Sequence, residues 1–370
     1  MNSTCKDVER MPLEFYATND LSQPDLSQPL ICEITDFLDS QETSHLFQFP
    51  QWNVTGARFA LLRESGKIQW FCTFGTHRPL GSSLPWMRAV VANRGPVCDD
   101  CALWQAATAE FIEQMRSEGF TYFDAIPDWV ETPERSLENR LRNSGWQERG
   151  GERTSLRLDL TKSEDEIFAN FRKNSRYEVR RAERMNVSVV PGSADAEIEE
   201  FLTLHSRLAD RKGFAAEAPE DLRGAIHWLT TADSRGALLL ACMENQVYGG
   251  AVIGRAGRRC WYVWGAAEKH ENFNVGHILQ WRALLWAKSH GCNEYDFGGY
   301  TPGATSGPAW FKAGFGGSVV HFVRPHRMVI RRGYYRAFDL IFRMRELSKP
   351  AWAARRKARD LLATNALAEE

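Results

Sequence analysis

The chain has 370 residues, 43% apolar and 25% charged, with 13 Trp and 21 Phe, enough apolar material for two cores; this excludes intrinsic disorder, collagen-like repeats and disulfide-stapled miniproteins. A formal net charge of -1 excludes a generally basic nucleic-acid coat and gives no reason to expect DNA as a partner. No window reaches about eighteen uninterrupted apolar residues and the first turns lack a basic start with an apolar core, so the sequence predicts a cytoplasmic protein with no transmembrane segment.

Residues 1–29 are polar and Pro/Ser-rich, with the near-repeat Leu21-Ser-Gln-Pro-Asp-Leu-Ser-Gln-Pro29, and read as a loosely held arm. A first module over 30–160 follows. It has a helical turn at 44–52, strands at 58–63, 68–76 and 87–92, a helix at 102–119, a strand at 120–126, a helix at 136–144 and a strand at 154–160. The second module, 161–330, repeats the pattern, with helices at 163–185, 195–211, 219–230 and 275–290 and strands at 187–190, 236–244, 246–254, 259–266 and 294–298. Residues 331–370 form a long basic amphipathic helix, broken at Pro350, whose apolar positions (Phe338, Ile341, Phe342, Met344, Leu347) dock it on the first module. From Arg324 onward there are 12 Lys or Arg against 5 Asp or Glu, so its wet side is open to RNA or an anionic membrane face. Alternating strand and helix makes the fold α/β.

Eight Cys scattered among apolar neighbours read as reduced thiols, and Cys98-Asp-Asp-Cys101, the single CxxC, lacks a second ligand pair for a metal. Two other stretches carry more chemistry. Phe171 to Arg184 holds six cations in fourteen residues, and Arg172, Arg176 and Arg180 recur every four, a ridge suited to phosphates or equally a solvated helix face. In Glu294 to Gly317 a strand ends at Asp296 and a Gly/Pro/Ser/Thr run leads to Phe311-Lys312; such a run lets backbone approach a ligand, as in an acyl-transfer site, though a long hairpin loop has the same composition. No Walker A or paired-glycine Rossmann spacing occurs there.

Taken together, Gln48-Phe-Pro-Gln-Trp52, Arg94-Gly-Pro-Val97, Thr154 to Leu160, Arg176 to Ala182, Arg211-Lys-Gly-Phe214, Tyr262 to Ala267, and Ala287 to Gly291 through Tyr295-Asp-Phe-Gly-Gly299 to Phe311-Lys312 resemble the Fem family of aminoacyltransferases. The likeness runs from about Gln48 to about Phe322. It implies two tandem GNAT-like domains, with mixed, mostly antiparallel sheets and a long C-terminal helix. It implies transfer of an amino acid from aminoacyl-tRNA to an amine acceptor, a cell-wall precursor or a specialised peptide or metabolite, with no cofactor. Lys312 beside Phe311 would hold the tRNA end and the developing negative charge, and Asp296, at the end of its strand, completes the catalytic set. Arg211 would line an acceptor pocket between the domains, with Arg176, Arg180, Trp52, Tyr262 and Tyr300 as further substrate contacts. Family members that take a nucleotide-linked muropeptide have a lysine shortly after the Trp52-like position; this sequence has Gly56 and Arg58 there.

Two alternatives remain at this stage. A GNAT fold can use acyl-CoA, but the pyrophosphate turn reads Phe273-Asn-Val-Gly-His-Ile278, keeping Gly276 and placing bulky Phe273 and Ile278 at its ends. The chain can also be a non-catalytic binding module using the interdomain groove. His277, Tyr295 and Tyr300 are available for proton transfer beside Asp296, and none is singled out as the general base.

Overall fold

Strands form where β-branched and aromatic residues run between turn residues, and helices where a cap meets an apolar stripe of 3.6-residue period. The computed structural model describes residues 12–17, 28–52, 58–81, 84–133, 135–213, 217–231, 235–244, 246–268, 274–305 and 307–344. In chain order it sets out β1 (Leu13–Ala17), α1 (Gln28–Ser40), two 3-10 turns (Leu46–Gln48 and Pro50–Trp52), β2 (Arg58–Glu64), β3 (Lys67–His77), β4 (Ala89–Arg94), α2 (Cys101–Ser117), β5 (Tyr122–Pro127), α3 (Leu137–Asn143), β6 (Gln147–Glu148) and β7 (Arg153–Asp159). There follow α4 (Glu164–Ala169), α5 (Lys173–Arg184), β8 (Ser188–Gly192), α6 (Asp195–Lys212), α7 (Pro219–Thr231), β9 (Gly236–Met243), β10 (Gln246–Ala256) and β11 (Arg259–Ala267). The chain continues through α8 (Val275–Ser289), β12 (Glu294–Gly299), α9 (Gly307–Ala313), β13 (Ser318–Phe322) and β14 (His326–Val329), and then a helix α10 over 332–344.

The described strands make two seven-stranded sheets, ordered β1-β2-β3-β4-β5-β14-β6 and β13-β7-β12-β11-β10-β9-β8. Both are antiparallel apart from one parallel neighbour pair each, β4 with β5 and β11 with β12. The fold is therefore α/β, with two similar modules of mixed, mostly antiparallel sheet.

Sheet membership crosses the expected division at 160. β7 lies in the second sheet between β13 and β12, and β14, near the end of the chain, returns to the first between β5 and β6. The polar arm also contains structure: β1 extends the first sheet, with Leu13 opposite Leu62 and Phe15 opposite Ala60, and α1 begins at Gln28. The remainder of the arm lies outside the described residues.

The helix expected over 163–185 is two helices. The chain turns out of helix at Arg172, whose N–H donates to the Gly314 carbonyl at 2.8 Å, and this lets Phe171 bury itself in the core. Helix α10 docks on the first module through Phe338, packed with Tyr122, Met87 and Leu80, with Ile341 alongside. Phe342 and Met344 lie off that face and are exposed. Residues from 345 on, with Leu347 and Pro350, are outside the described part.

A shared core joins the modules. Leu38, Leu46, Phe49 and Phe71 from the first pack with Phe201, Ile226, Leu229 and Leu238 from the second. Each fully buried side chain of this size contributes roughly 1.5–3 kcal/mol, so the surface between the modules is stiff and can carry a site.

Candidate active site

β11 and β12 pair over only three residues, from Arg259 opposite Glu294 to Trp261 opposite Asp296. Beyond that point β12 bends: the Asp296 carboxylate accepts from the Gly298 N–H at 2.8 Å, and Gly298 takes φ +70°, which favours glycine. The strands part and Tyr262 stands in the opening. Its hydroxyl approaches the backbone so closely that a Cβ at Gly265 would lie 1.7 Å from it, so no side chain fits at 265.

Cavities lie on both sides of Tyr262. The larger, about 490 Å³, sits between the modules and is lined by His45, Arg94, Arg153, Asp296, Gly299 and Tyr300 among others. The smaller, about 210 Å³, is lined by Gly265, Gly276, Gln280 and Phe311.

Five of the sequence-expected residues come together here. Lys312, on α9, donates from Nζ to the Gly299 carbonyl at 2.7 Å. Burial pushes its ammonium below the ordinary lysine range, and the charge of Asp296 opposes that shift. Phe311 meets His277 edge-on at 5.0 Å and packs against Gly276, where a Cβ would come within 3.2 Å of its ring. Burial pushes the Tyr262 phenol up to about 12, with the Gln280 hydrogen bond acting the other way. Tyr300 is held by its backbone, its N–H donating to the Thr154 carbonyl at 3.0 Å. Asp296 is 1% exposed and accepts from Arg157 Nε at 2.9 Å, from Gly298 N–H and from the Ser155 hydroxyl. Three donors on one carboxylate make it an anchor for the bend.

The other expected residues lie elsewhere. Arg211, exposed at the end of α6, donates to the Ala267 carbonyl at 3.0 Å, on the rim of the smaller cavity. Arg176 turns inward, donating to the Ala169 carbonyl at 2.6 Å and the Phe171 carbonyl at 2.5 Å left open by the helix break. Arg180 lies exposed over the Phe168 ring at 5.4 Å. Trp52 stacks on Trp264 at 5.3 Å and touches Phe47 at 4.8 Å, an aromatic brace between the modules rather than a cavity wall.

Sequence reasoning assigned no site role to an ion network below the larger cavity. Arg94 Nη1 is 2.7 Å from Asp128 Oδ1, Arg153 Nη2 is 3.6 Å from the same oxygen, and Arg157 Nη2 is 4.0 Å from Oδ2. The local signal was Arg157, a charge set between Leu156 and Leu158 in a buried strand.

The start of α8 is arranged differently from the expectation for a CoA turn. Ile278 faces the core and is fully buried, so it crowds nothing; Phe273 is outside the described residues. Instead Asn274 Oδ1 accepts from the Gly276 N–H at 3.1 Å, and the Asn274 N–H donates to Glu178 Oε2 at 3.1 Å. A carboxylate therefore sits where a pyrophosphate would bind. At Cys98-Asp-Asp-Cys101, Asp100 caps α2 by accepting from the Leu103 N–H at 2.7 Å, and burial pushes the Cys98 thiol up to about 12, as in an inert core thiol.

His277 is 2% exposed, and burial pushes it down to about 4 from the ordinary 6.5, so it stays neutral in the folded chain. As pH falls, the unfolded chain takes up the proton first. Stability is thus full above about 6.5 and lost between there and about 4, at up to about 1.4 kcal/mol per pH unit. Buried His45 is shifted the same way by burial and by Arg94. Urea unfolding at pH 7 and pH 4.5 is expected to show this loss, and His277→Gln should flatten it; an unchanged slope in the variant would contradict the assignment.

Residues 169–312 match the acetyltransferase (GNAT) domain family. The chain is 23% identical over 149 residues to the UDP-N-acetylmuramoylpentapeptide-lysine N(6)-alanyltransferase of Weissella viridescens, covering 40% of this chain and 44% of that one. It is 27% identical over 104 residues to the lipid II:glycine glycyltransferase of Staphylococcus saprophyticus, covering 25% of each. The match thus spans less than half the length of these relatives. Among solved structures, FemX superposes with a TM-score of 0.72 at 18% identity, over 83% of this chain and 98% of that one. L-PGS from Bacillus licheniformis gives 0.54 at 12%, over 84% and 95%. The chain is therefore similar to Fem-type transferases in sequence and to FemX in fold, and its second module matches a GNAT domain.

Proposed function

We propose that this Fem-like chain is an aminoacyltransferase that takes the aminoacyl group from the ester of an aminoacyl-tRNA and joins it to an amine, on a cell-wall precursor or on a specialised peptide or metabolite. The observation that carries the reading is the Lys312 ammonium, held by the carbonyl of Gly299, a wall residue of the larger cavity, and next in sequence to Phe311, a wall residue of the smaller one. An ammonium has three donors; one is used on Gly299, leaving others for a ligand.

The amine lone pair attacks the ester carbonyl carbon, forming the C–N bond and an oxyanion. Collapse of that adduct breaks the C–O bond; one of the amine's two protons passes, directly or through water, to the leaving ribose oxygen, and the other stays on the amide nitrogen. Lys312 would stabilise the oxyanion by about 3 kcal/mol, the usual worth of one preorganised donor. The smaller cavity, lined by Phe311 and Gly276, suits an aminoacyl group, and the larger one suits the acceptor. A neutral buried His277 and a saturated Asp296 leave proton removal to substrate or water.

Acyl-CoA as donor is the second reading, and the Glu178–Asn274 contact at the start of α8 speaks against it. A test uses labelled aminoacyl-tRNA and, separately, acyl-CoA with a set of amines. Transfer abolished by RNase is expected. CoA release without any need for tRNA would overturn the proposal, and use of neither donor would favour a binding module.

A further inference from the structure

We infer that the larger cavity is an oxyanion-binding site in which Arg94 and Arg153 grip a carboxylate or phosphate group of the amine acceptor. The acceptor role rests on the aminoacyl-transfer reading; the oxyanion site does not.

Three guanidinium groups converge on the fully buried Asp128; Arg157 has two further carboxylates, Asp296 at 2.9 Å and Glu294 at 3.7 Å, the latter shared with Arg259 at 2.8 Å, whereas Arg94 and Arg153 pair with Asp128 alone among the described residues. The cluster therefore carries more positive than negative charge. Arg153 donates from Nη1 to the Pro127 and Val323 carbonyls at 2.8 and 3.1 Å. Its inaccessible Nη2 has no hydrogen-bond partner among the described residues, and its 3.6 Å to Asp128 is too long for one. Arg157 Nη2 is likewise without a hydrogen-bond partner, with the acceptor Asp128 Oδ2 4.0 Å away. Guanidinium charge short of partners beside a cavity favours an anion in it, met by the faces of Arg94 and Arg153 that line the wall.

The electrostatics agree. Burial, with Arg94 adding to it, pushes Arg153 down to about 10, the behaviour of a guanidinium short of counter-charge. Arg94, Arg153 and Arg157 all lie against the Phe322 ring, at 5.9, 5.3 and 5.2 Å, which holds their planes. Arg94 also takes φ +60°, a backbone conformation that non-glycine residues adopt at a cost and that recurs at ligand sites. The other titratable groups on the cavity wall are His45 and Tyr262, both kept neutral by burial, Tyr300, anchored Asp296, and Glu152 at the exposed rim. Because Gly299 and Tyr262 belong to the same wall, an acceptor held by its oxyanion on the arginines can present its amine beside Lys312.

The test is calorimetric titration of the full chain, without donor, with inorganic phosphate, pyrophosphate, N-acetylglycinate and the neutral N-acetylglycinamide. Binding of at least one anion is expected, with none for the amide. Phosphate or pyrophosphate alone would identify a phosphorylated acceptor, and N-acetylglycinate alone a carboxylate one. Arg94→Gln should weaken binding at least about tenfold, as a lost charged hydrogen bond does. Arg153→Lys, which keeps the charge and is chosen in case Arg153→Gln fails to fold, should weaken it through loss of the fork. Arg142→Gln, at an exposed surface pair, should leave it unchanged. No anion binding, equal binding of the amide, or unaltered binding by both cavity variants would overturn the inference. In the transfer assay Arg94→Gln should raise the acceptor KM with little change in kcat. If no transfer occurs but the anions bind as described, the aminoacyl reading fails and the oxyanion site stands.

Discussion

Replacement of Lys312 by Ala is expected to lower kcat about a hundredfold, the cost of removing one preorganised donor to an oxyanion. The fold should survive, because the side chain makes a single hydrogen bond, to Gly299, and is not part of the buried core. Single-turnover transfer from labelled aminoacyl-tRNA measures the effect, and matched urea midpoints for variant and parent separate chemistry from unfolding. Lys312→Arg should not restore the rate, since the planar guanidinium cannot reproduce a compact ammonium at that distance. Turnover unchanged in Lys312→Ala would mean that the charge develops elsewhere.

Asp296→Ala is expected to cost about 3–5 kcal/mol of stability, the penalty for leaving one partner of a buried ion pair uncompensated. Arg157, 8% exposed, would lose the contact to its Nε, while the Gly298 N–H and the Ser155 hydroxyl would lose their acceptor. The bend that opens β12 away from β11 should then relax. Denaturant unfolding checks the magnitude. If the variant is as stable as the parent yet does not turn over, Asp296 is a proton acceptor and not an anchor.

Much of the fold was legible because its signals are local. The apolar spacing of Cys101–Ser117 and Val275–Ser289 and the β-rich runs of Gly236–Met243 and Gln246–Ala256 each name their element without reference to the remainder of the chain. Three features were not legible for the opposite reason. The break at Arg172 depends on the distant Gly314 carbonyl and on Arg176 turning back. The short α9, rich in Gly and Pro and therefore read as loop, is held by Phe311 against Gly276 and His277. β1 lies in a polar arm and exists because β2 offers an edge.

The site divides in the same way. Phe311, Lys312 and Asp296 fall within one stretch whose composition announces a close backbone approach. Arg94, Asp128, Arg153 and Arg157 are spread over the first module and β7, and ordinary surface arginines have the same local sequence. Their meeting is a property of the tertiary fold, and the lone charge at Arg157 was its one local trace.

The exchange of β7 and β14 between the sheets has a mechanical consequence. Cut the chain after Leu160, and one fragment would have a missing lath between β5 and β6 while the other would have lost the lath that joins β12 to β13. Each fragment would be left with a gap inside its sheet. The two compartments beside Tyr262 are thus tied by two crossings of the chain, and separation of the sheets about a hinge would first have to open the core they share.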